Sequence, residues 1–169
     1  MSYFGTEKKL LISISAISAG ATTQNVGTAT ADLNIFNSKV LTRIVSSIGY
    51  PTVSVTSNII TLEAGWKYCI SARLKVYDAT PSAGESVNFF IFDNIANAQI
   101  SSTGTVNITT DSSASLAQEN CIAYIDATAS VSQLKIRASK NSGSNVTINA
   151  SGDVGNANFA SHILIKAWK

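Results

Sequence analysis

Residues that carry chemistry are scarce in this chain. Among its 169 residues there is one histidine, His162, and there are two cysteines, Cys69 and Cys121. Protein metal centres draw several His, Cys or carboxylate ligands from short, characteristic spacings. His162 has no second histidine to pair with and no carboxylate beside it in sequence, and neither cysteine has a Cys-x-x-Cys partner. No metal and no cofactor is therefore expected, and His162 reads as a half-buried packing residue. Catalytic signatures are missing as well. There is no Gly-x-Ser-x-Gly elbow, no Walker loop, no dinucleotide fingerprint and no Asp-x-Asp-x-Asp calcium loop. The ten carboxylates, Glu7, Asp32, Glu63, Asp78, Glu85, Asp93, Asp111, Glu119, Asp126 and Asp153, mostly fall where turns are expected. There, Asp serves the local backbone more often than chemistry. A carboxylate pair can come from any two strands, so spacing leaves a glycosidase-type site open. The expectation is a protein that is not an enzyme, with no catalytic residues.

Charge is also low, at 13% of residues and a net +2, against about a quarter in ordinary domains. The longest basic run is the pair Lys8-Lys9, so nothing marks a groove for nucleic acid. No stretch of eighteen apolar residues occurs, and no membrane-spanning helix is expected. The segment after Lys8-Lys9 superficially resembles a secretory signal. Ser13 and Ser15 interrupt its apolar run, however, and Glu7 sits beside the lysines, so Leu10 to Ile17 reads better as a strand. Cys69 and Cys121 each lie inside an expected strand. Two free thiols are the favoured reading, with a disulfide between neighbouring strands left open.

What the chain does have is Ser, Thr and Asn: 24, 16 and 14 residues, with only two prolines. Hydroxyl and β-branched residues with little charge favour strands over helices. Three Asn-x-Ser/Thr sequons, at Asn107, Asn145 and Asn149, are what so many Asn, Ser and Thr give by chance, so glycosylation is not inferred. The most regular stretch runs from Ile59 to Tyr77. It reads as a short strand, a turn at Glu63-Ala64-Gly65, then a long alternating strand. Trp66, Tyr68, Ile70, Ala72, Leu74 and Val76 fall on one face; Lys67, Cys69, Ser71, Arg73 and Lys75 fall on the other. Further strands are expected at Lys39–Val45, Val53–Val55, Val87–Asp93, Glu119–Asp126, Gln133–Ala138, Val146–Ile148 and Ser161–Lys169. Val87–Asp93 is apolar on both faces, which predicts burial from both sides. Ser18 to Ala31 reads as a flexible connection, and Ala114 to Glu119 as the one stretch able to form a helical turn. In the last strand Ile163, Ile165 and Ala167 alternate with His162, Leu164, Lys166 and Trp168. A terminal Trp on the outer face frays unless something covers it. Nine or ten short strands without a helical period predict an all-β antiparallel sandwich or jelly roll.

The stretch Ile60-Thr61-Leu62-Glu63-Ala64-Gly65-Trp66-Lys67-Tyr68-Cys69-Ile70-Ser71-Ala72 resembles the core signature of the trimeric jelly-roll superfamily. That superfamily contains tumour-necrosis-factor-like ligands and the globular head of complement's collagen-like recognition component. Val87 to Ile100, with its Asp93-Asn94 turn, is similar to the next hairpin, and Asn158 to Ile165 to the terminal strand. The likeness spans roughly Val53 to Lys169. The family's Leu-x-x-Gly-Asp turn is absent, and Asp126-Ala127-Thr128-Ala129-Ser130 stands in its place. A stalkless version rich in Ser, Thr and Asn looks like the forms carried on bacteriophage particles.

The resemblance implies an antiparallel jelly-roll β-sandwich, homotrimeric, over residues 32–169, preceded by an extended N-terminal arm over 1–31. It implies a non-enzymatic phage head decoration or cement protein, made in the host cytoplasm and located on the virion. Its partners would be copies of itself and the major capsid protein or another virion protein, with no nucleic acid and no membrane. Candidate trimer contacts are Trp66, Tyr68, Phe90, Phe92, Leu164 and Trp168. Candidate capsid anchors are Tyr3, Phe4, Leu10, Ile12 and Ile14. The alternative is a tail-fibre tip or another receptor-binding trimeric head recognising host glycans through the polar loops 141–144 and 151–158.

Overall fold

Period-two patterning becomes strand after strand in the computed structural model, which describes residues 13–18, 22–36, 38–44, 51–78, 82–108, 115–116, 121–148 and 161–169. In chain order the strands are β1 (Ser13–Ser18), β2 (Gln24–Val26), β3 (Ala31–Asp32), β4 (Ser38–Ile44), β5 (Val53–Thr56), β6 (Ile59–Leu62), β7 (Lys67–Arg73) and β8 (Lys75–Tyr77). They continue with β9 (Ser86–Asp93), β10 (Ala98–Gln99), β11 (Gly104–Asn107), β12 (Ser115–Leu116), β13 (Cys121–Asp126), β14 (Ser132–Lys140), β15 (Val146–Ile148) and β16 (His162–Trp168). Among the described residues there is no helix, and all pairings are antiparallel.

A five-stranded sheet runs β13-β7-β16-β1-β4. A larger sheet runs β10-β9-β14-β6-β5, with β11 also on β9 and β3 on β14. A four-stranded sheet runs β12-β8-β15-β2. The inward residues of the first two sheets form one core. Tyr68, Ile70, Ala72, Ile163, Ile165 and Ala167 come from the five-stranded sheet; Val87, Phe89, Ile91, Leu134, Ile136 and Ala138 come from the larger one. Val26, Val76, Val146 and Ile148 bring the third sheet into the same core. The result is a β-sandwich in which alternate side chains interdigitate.

The expected alternation in the Trp66 stretch is realised at Tyr68, Ile70 and Ala72, all 0% exposed. The long strand is nonetheless two strands: it breaks at Leu74, and β8 continues into a different sheet from β7. The Glu63-Ala64-Gly65 turn is present, with Gly65 at φ +88°. In that conformation an L side chain is strained, and glycine is not.

Three expectations change, and one core segment was not foreseen. Within one copy, Val87–Asp93 is buried on one face only: Val87, Phe89 and Ile91 are buried while Asn88, Phe90 and Phe92 are half-buried. Phe90 and Phe92 face away from the core, where Arg137 lies over the Phe92 ring and Phe90 stands beside Phe92. Residues 18–31 are not all connection. β2 and β3 lie within or at the end of this stretch and pair β15 and β14, and β1, where a strand was expected, is hydrogen-bonded to both β16 and β4. Leu33, Ile35 and Phe36 are 1–2% exposed core residues, although no strand is expected there. The stretch read as a helical turn holds β12 instead, paired with β8.

Candidate functional site

The register of the five-stranded sheet sets its outer face in rows. Ile122 of β13 stands opposite Ser71 of β7, which stands opposite Leu164 of β16. Tyr124, Cys69 and Lys166 make the next row, and Asp126, Lys67 and Trp168 the third. Each is the outward member of an alternating strand whose inward members are buried. Tyr124 is 75% exposed and Ile122 is 42% exposed, while Leu164 and Trp168 are half-buried. The face thus mixes apolar side chains with charge: Lys67 Nζ lies 3.8 Å from Asp126 Oδ2, and Lys166 stands exposed in the middle row. β13 is the last strand on its side of the sheet, so the most exposed aromatic sits at a sheet edge.

The outer face of the larger sheet is closed in on itself. The Arg137 guanidinium lies 4.5 Å over the Phe92 ring, and Phe90 and Phe92 sit with centroids 6.5 Å apart. Asp32 draws in Lys135 and Arg137, each at 2.9 Å. These contacts cover the phenylalanines with the protein's own side chains.

The six expected contact residues therefore do not gather in one place. Trp66 and Tyr68, at 5% and 0% exposure, are core residues and offer no surface. The Tyr68 hydroxyl donates to the Glu63 carbonyl at 2.8 Å. Burial, then the nearby Glu63 charge, holds that hydroxyl well above the usual tyrosine range. Phe90 and Phe92 lie on the larger sheet, and Leu164 and Trp168 lie on the five-stranded one. Ile122 and Tyr124 went unassigned in the sequence, although the inward neighbours Cys121 and Ala123 announced their face.

Of the expected anchors, Tyr3, Phe4, Leu10 and Ile12 lie outside the described residues. Ile14 is in the middle strand of the β16-β1-β4 group, opposite Lys166 and Arg43 in register. Among the described residues no cluster of His, Cys, Asp and Glu could hold a metal ion, and no helix is long and apolar enough to cross a membrane. Cys69 and Cys121 are free. They occupy opposite faces of adjacent strands, Cys121 pairing in register with Ala72 and Cys69 with Tyr124.

No known protein family matches this chain, and no curated protein does. Solved structures resembling it include those of infectious bursal disease virus VP2. One is the D431N mutant of the VP2 protein of infectious bursal disease virus in derived T=1 particles, with 11% identity and a TM-score of 0.41. Another is the VP2 subviral particle of the same virus, with 11% identity and a TM-score of 0.42. Both comparisons cover 100% of this chain, which spans 40% and 42% of those proteins. The likeness is too slight to carry an argument about role. The surface geometry has to supply it.

Proposed function

We propose that this chain is a non-enzymatic viral structural protein: a jelly-roll head that forms a homotrimer through the outer face of its five-stranded sheet and decorates a bacteriophage capsid. The observation that carries the reading is Tyr124 and Ile122 standing exposed on a sheet face with Leu164 across β7, where Lys67, Asp126 and Lys166 offer charges that can pair across copies. Contiguous exposed apolar groups of this kind are uncommon on monomers and mark interfaces. The interleaving of strands supports the jelly roll. β16 and β1, from opposite ends of the described chain, lie side by side, as do β14 and β6, where a simple meander would keep sequence neighbours together.

A bound trimer would stabilise the shell by mass action, since it favours the assembled lattice over the dissociated one. Residues 1–12, with Tyr3, Phe4, Leu10 and Ile12, are proposed as the segment that reaches the capsid protein. Sedimentation of the full chain tests the assembly step: three copies per particle are expected, and a compact monomer at micromolar concentration overturns the reading. Co-sedimentation with undecorated capsids tests the second step. Binding that is lost on deleting residues 1–12 is expected, and undiminished binding by the shortened chain removes the anchoring role.

A further inference from the structure

Under the ends of three strands lies a group of charges that plays no part in the outer face. Lys140 closes β14, Asp78 follows β8 directly and Glu85 precedes β9 directly. Their side chains are 0%, 3% and 7% exposed. Lys140 Nζ lies 2.8 Å from Asp78 Oδ2 and 3.1 Å from Glu85 Oε2, and it donates to the Ser144 carbonyl at 2.9 Å. Glu85 is held in turn by the Ser82 amide, which donates to its Oε2 at 3.0 Å.

The turn over 141–144 seals the group. The Asn141 amide donates to the Ser86 carbonyl, the Ser86 amide donates to Asn141 Oδ1, and Asn141 Nδ2 donates to the Gly84 carbonyl, all at 2.8–2.9 Å. Gly143, at φ +80°, passes so close that a Cβ there would run into Glu85 Oε1. Burying three charges that sum to −1 is costly, and replacing such groups by apolar ones is often neutral or stabilising. Stability alone gives the arrangement a poor rationale.

The geometry points to an autocatalytic isopeptide bond between Lys140 Nζ and Asp78 Cγ, with Glu85 as the catalytic residue that moves the proton. The Lys140 amine is already in direct contact with the Asp78 carboxylate, both desolvated and fixed at strand ends, which removes much of the entropy a bimolecular condensation would cost. A proton passes from the Lys140 ammonium to the Asp78 carboxylate, giving amine and acid with no change in the net charge of the group. The Nζ lone pair then forms the C–N bond at Asp78 Cγ, and the carbonyl π pair moves onto oxygen. Glu85 takes a second proton from Nζ and delivers it to the Asp78 hydroxyl, which leaves as water while the carbonyl re-forms. Glu85 ends as the carboxylate it began as. One amide and one water replace an ammonium and a carboxylate, so no oxidant, cofactor or co-substrate is needed. The product ties together residues 62 positions apart and bridges the four-stranded and the larger sheet covalently. The bond requires only one copy of the chain, so it stands or falls independently of the trimer.

The test is the intact mass of the full-length chain in denaturant, followed by peptide mapping. The expected mass is that of the sequence less one water, with a branched peptide joining the segments of Asp78 and Lys140. Glu85→Gln and Lys140→Arg should each restore the full mass. Asp78→Asn should lose ammonia instead and converge on the same product mass as the unsubstituted protein. The cross-linked chain should also run faster than the Lys140→Arg chain on a denaturing gel. A natively folded chain carrying the full sequence mass overturns the proposal. So does a water deficit that persists in Lys140→Arg, because that marks a dehydration elsewhere. The unsubstituted protein is decisive by itself, whether or not a variant folds.

Discussion

At the scale of single residues, what decides a side chain's role is whether its polar atoms find partners once its strand faces inward. Tyr68 is fully buried, yet its hydroxyl reaches the Glu63 carbonyl at 2.8 Å. Tyr68→Phe leaves that carbonyl without its donor and should cost about 1 kcal/mol, whereas Tyr68→Ala should cost about 3–5 kcal/mol through the cavity it opens. Urea unfolding of the two variants measures the difference. The two thiols should separate just as clearly. Burial pushes the Cys121 thiol up to about 11, and a neutral, enclosed thiol is a poor nucleophile. At neutral pH a thiol reagent should label one cysteine in the native protein and two after denaturation, and Cys69→Ser should abolish native labelling. Asp126 gives a pH dependence. Hydrogen bonds from the Thr128 hydroxyl and amide, with the Lys67 charge adding to them, lower its pKa. A carboxylate with a depressed folded pKa contributes stability above its unfolded value and loses it as pH falls through the folded one. The acid limb of the stability profile should therefore flatten in Asp126→Asn, as read by thermal melts from neutral pH downward. Residue roles were half legible. Alternation gave the face of Tyr68 and of Ile163, Ile165 and Ala167, but carboxylates near turns read as serving the local backbone. Asp78 and Glu85 are buried instead, and the one available clue was that the period of Leu134, Ile136 and Ala138 continues inward to Lys140.

Strands are legible when a period-two pattern is long, and they are lost when the fold interrupts it. β6 lies at Ile59–Leu62 as the pattern predicts, and β16 and β14 lie within a few residues of expectation. The break between β7 and β8 was invisible because the alternation carries straight on through Leu74 to Val76; only the pairing partners change, β7 with β13 and β16, β8 with β12 and β15. The 33–36 segment was missed for the opposite reason. Leu33, Ile35 and Phe36 are buried without strand periodicity, and the Leu33 amide donates to the Ile136 carbonyl at 2.8 Å beyond the end of β3. Between elements, Gly104 is the tightest approach. It opens β11 with its backbone beside β9, and a Cβ there would fall 2.5 Å from Phe89 Cζ and 3.1 Å from the Cys121 amide nitrogen. Gly104→Ala must displace a core aromatic ring and should destabilise by about 1–3 kcal/mol, the usual range for overpacking. Double substitution with Phe89→Leu should recover part of that loss. Equal destabilisation with and without the smaller side chain would mean the clash is not with the ring.

For the whole molecule, the two outer faces make opposite predictions about assembly, and this lets one experiment separate them. The larger sheet stacks Arg137 on Phe92 and ties Arg137 and Lys135 to Asp32, so the centre of its outer face is held by its own side chains, and its exposed apolar groups, Ile95 and Val131, lie at the strand ends. The five-stranded sheet leaves Tyr124 and Ile122 uncovered, with Leu164 across β7, so burial against a second copy removes them from water at about 25 cal/mol per Å² of apolar area. Charge placed there should abolish association without unfolding the chain, because exposed positions usually tolerate substitution within about 0.5 kcal/mol. Tyr124→Asp combined with Ile122→Asp is expected to sediment as a monomer with an unchanged strand-type circular dichroism spectrum. Phe92→Asp, on the other face, is expected to leave the oligomer intact even if it lowers the melting temperature. If the Tyr124 and Ile122 double variant keeps the parental sedimentation coefficient while the Phe92 variant dissociates, the copies meet through the larger sheet. In that case the charges around Asp32 would be interface groups that open to receive a partner.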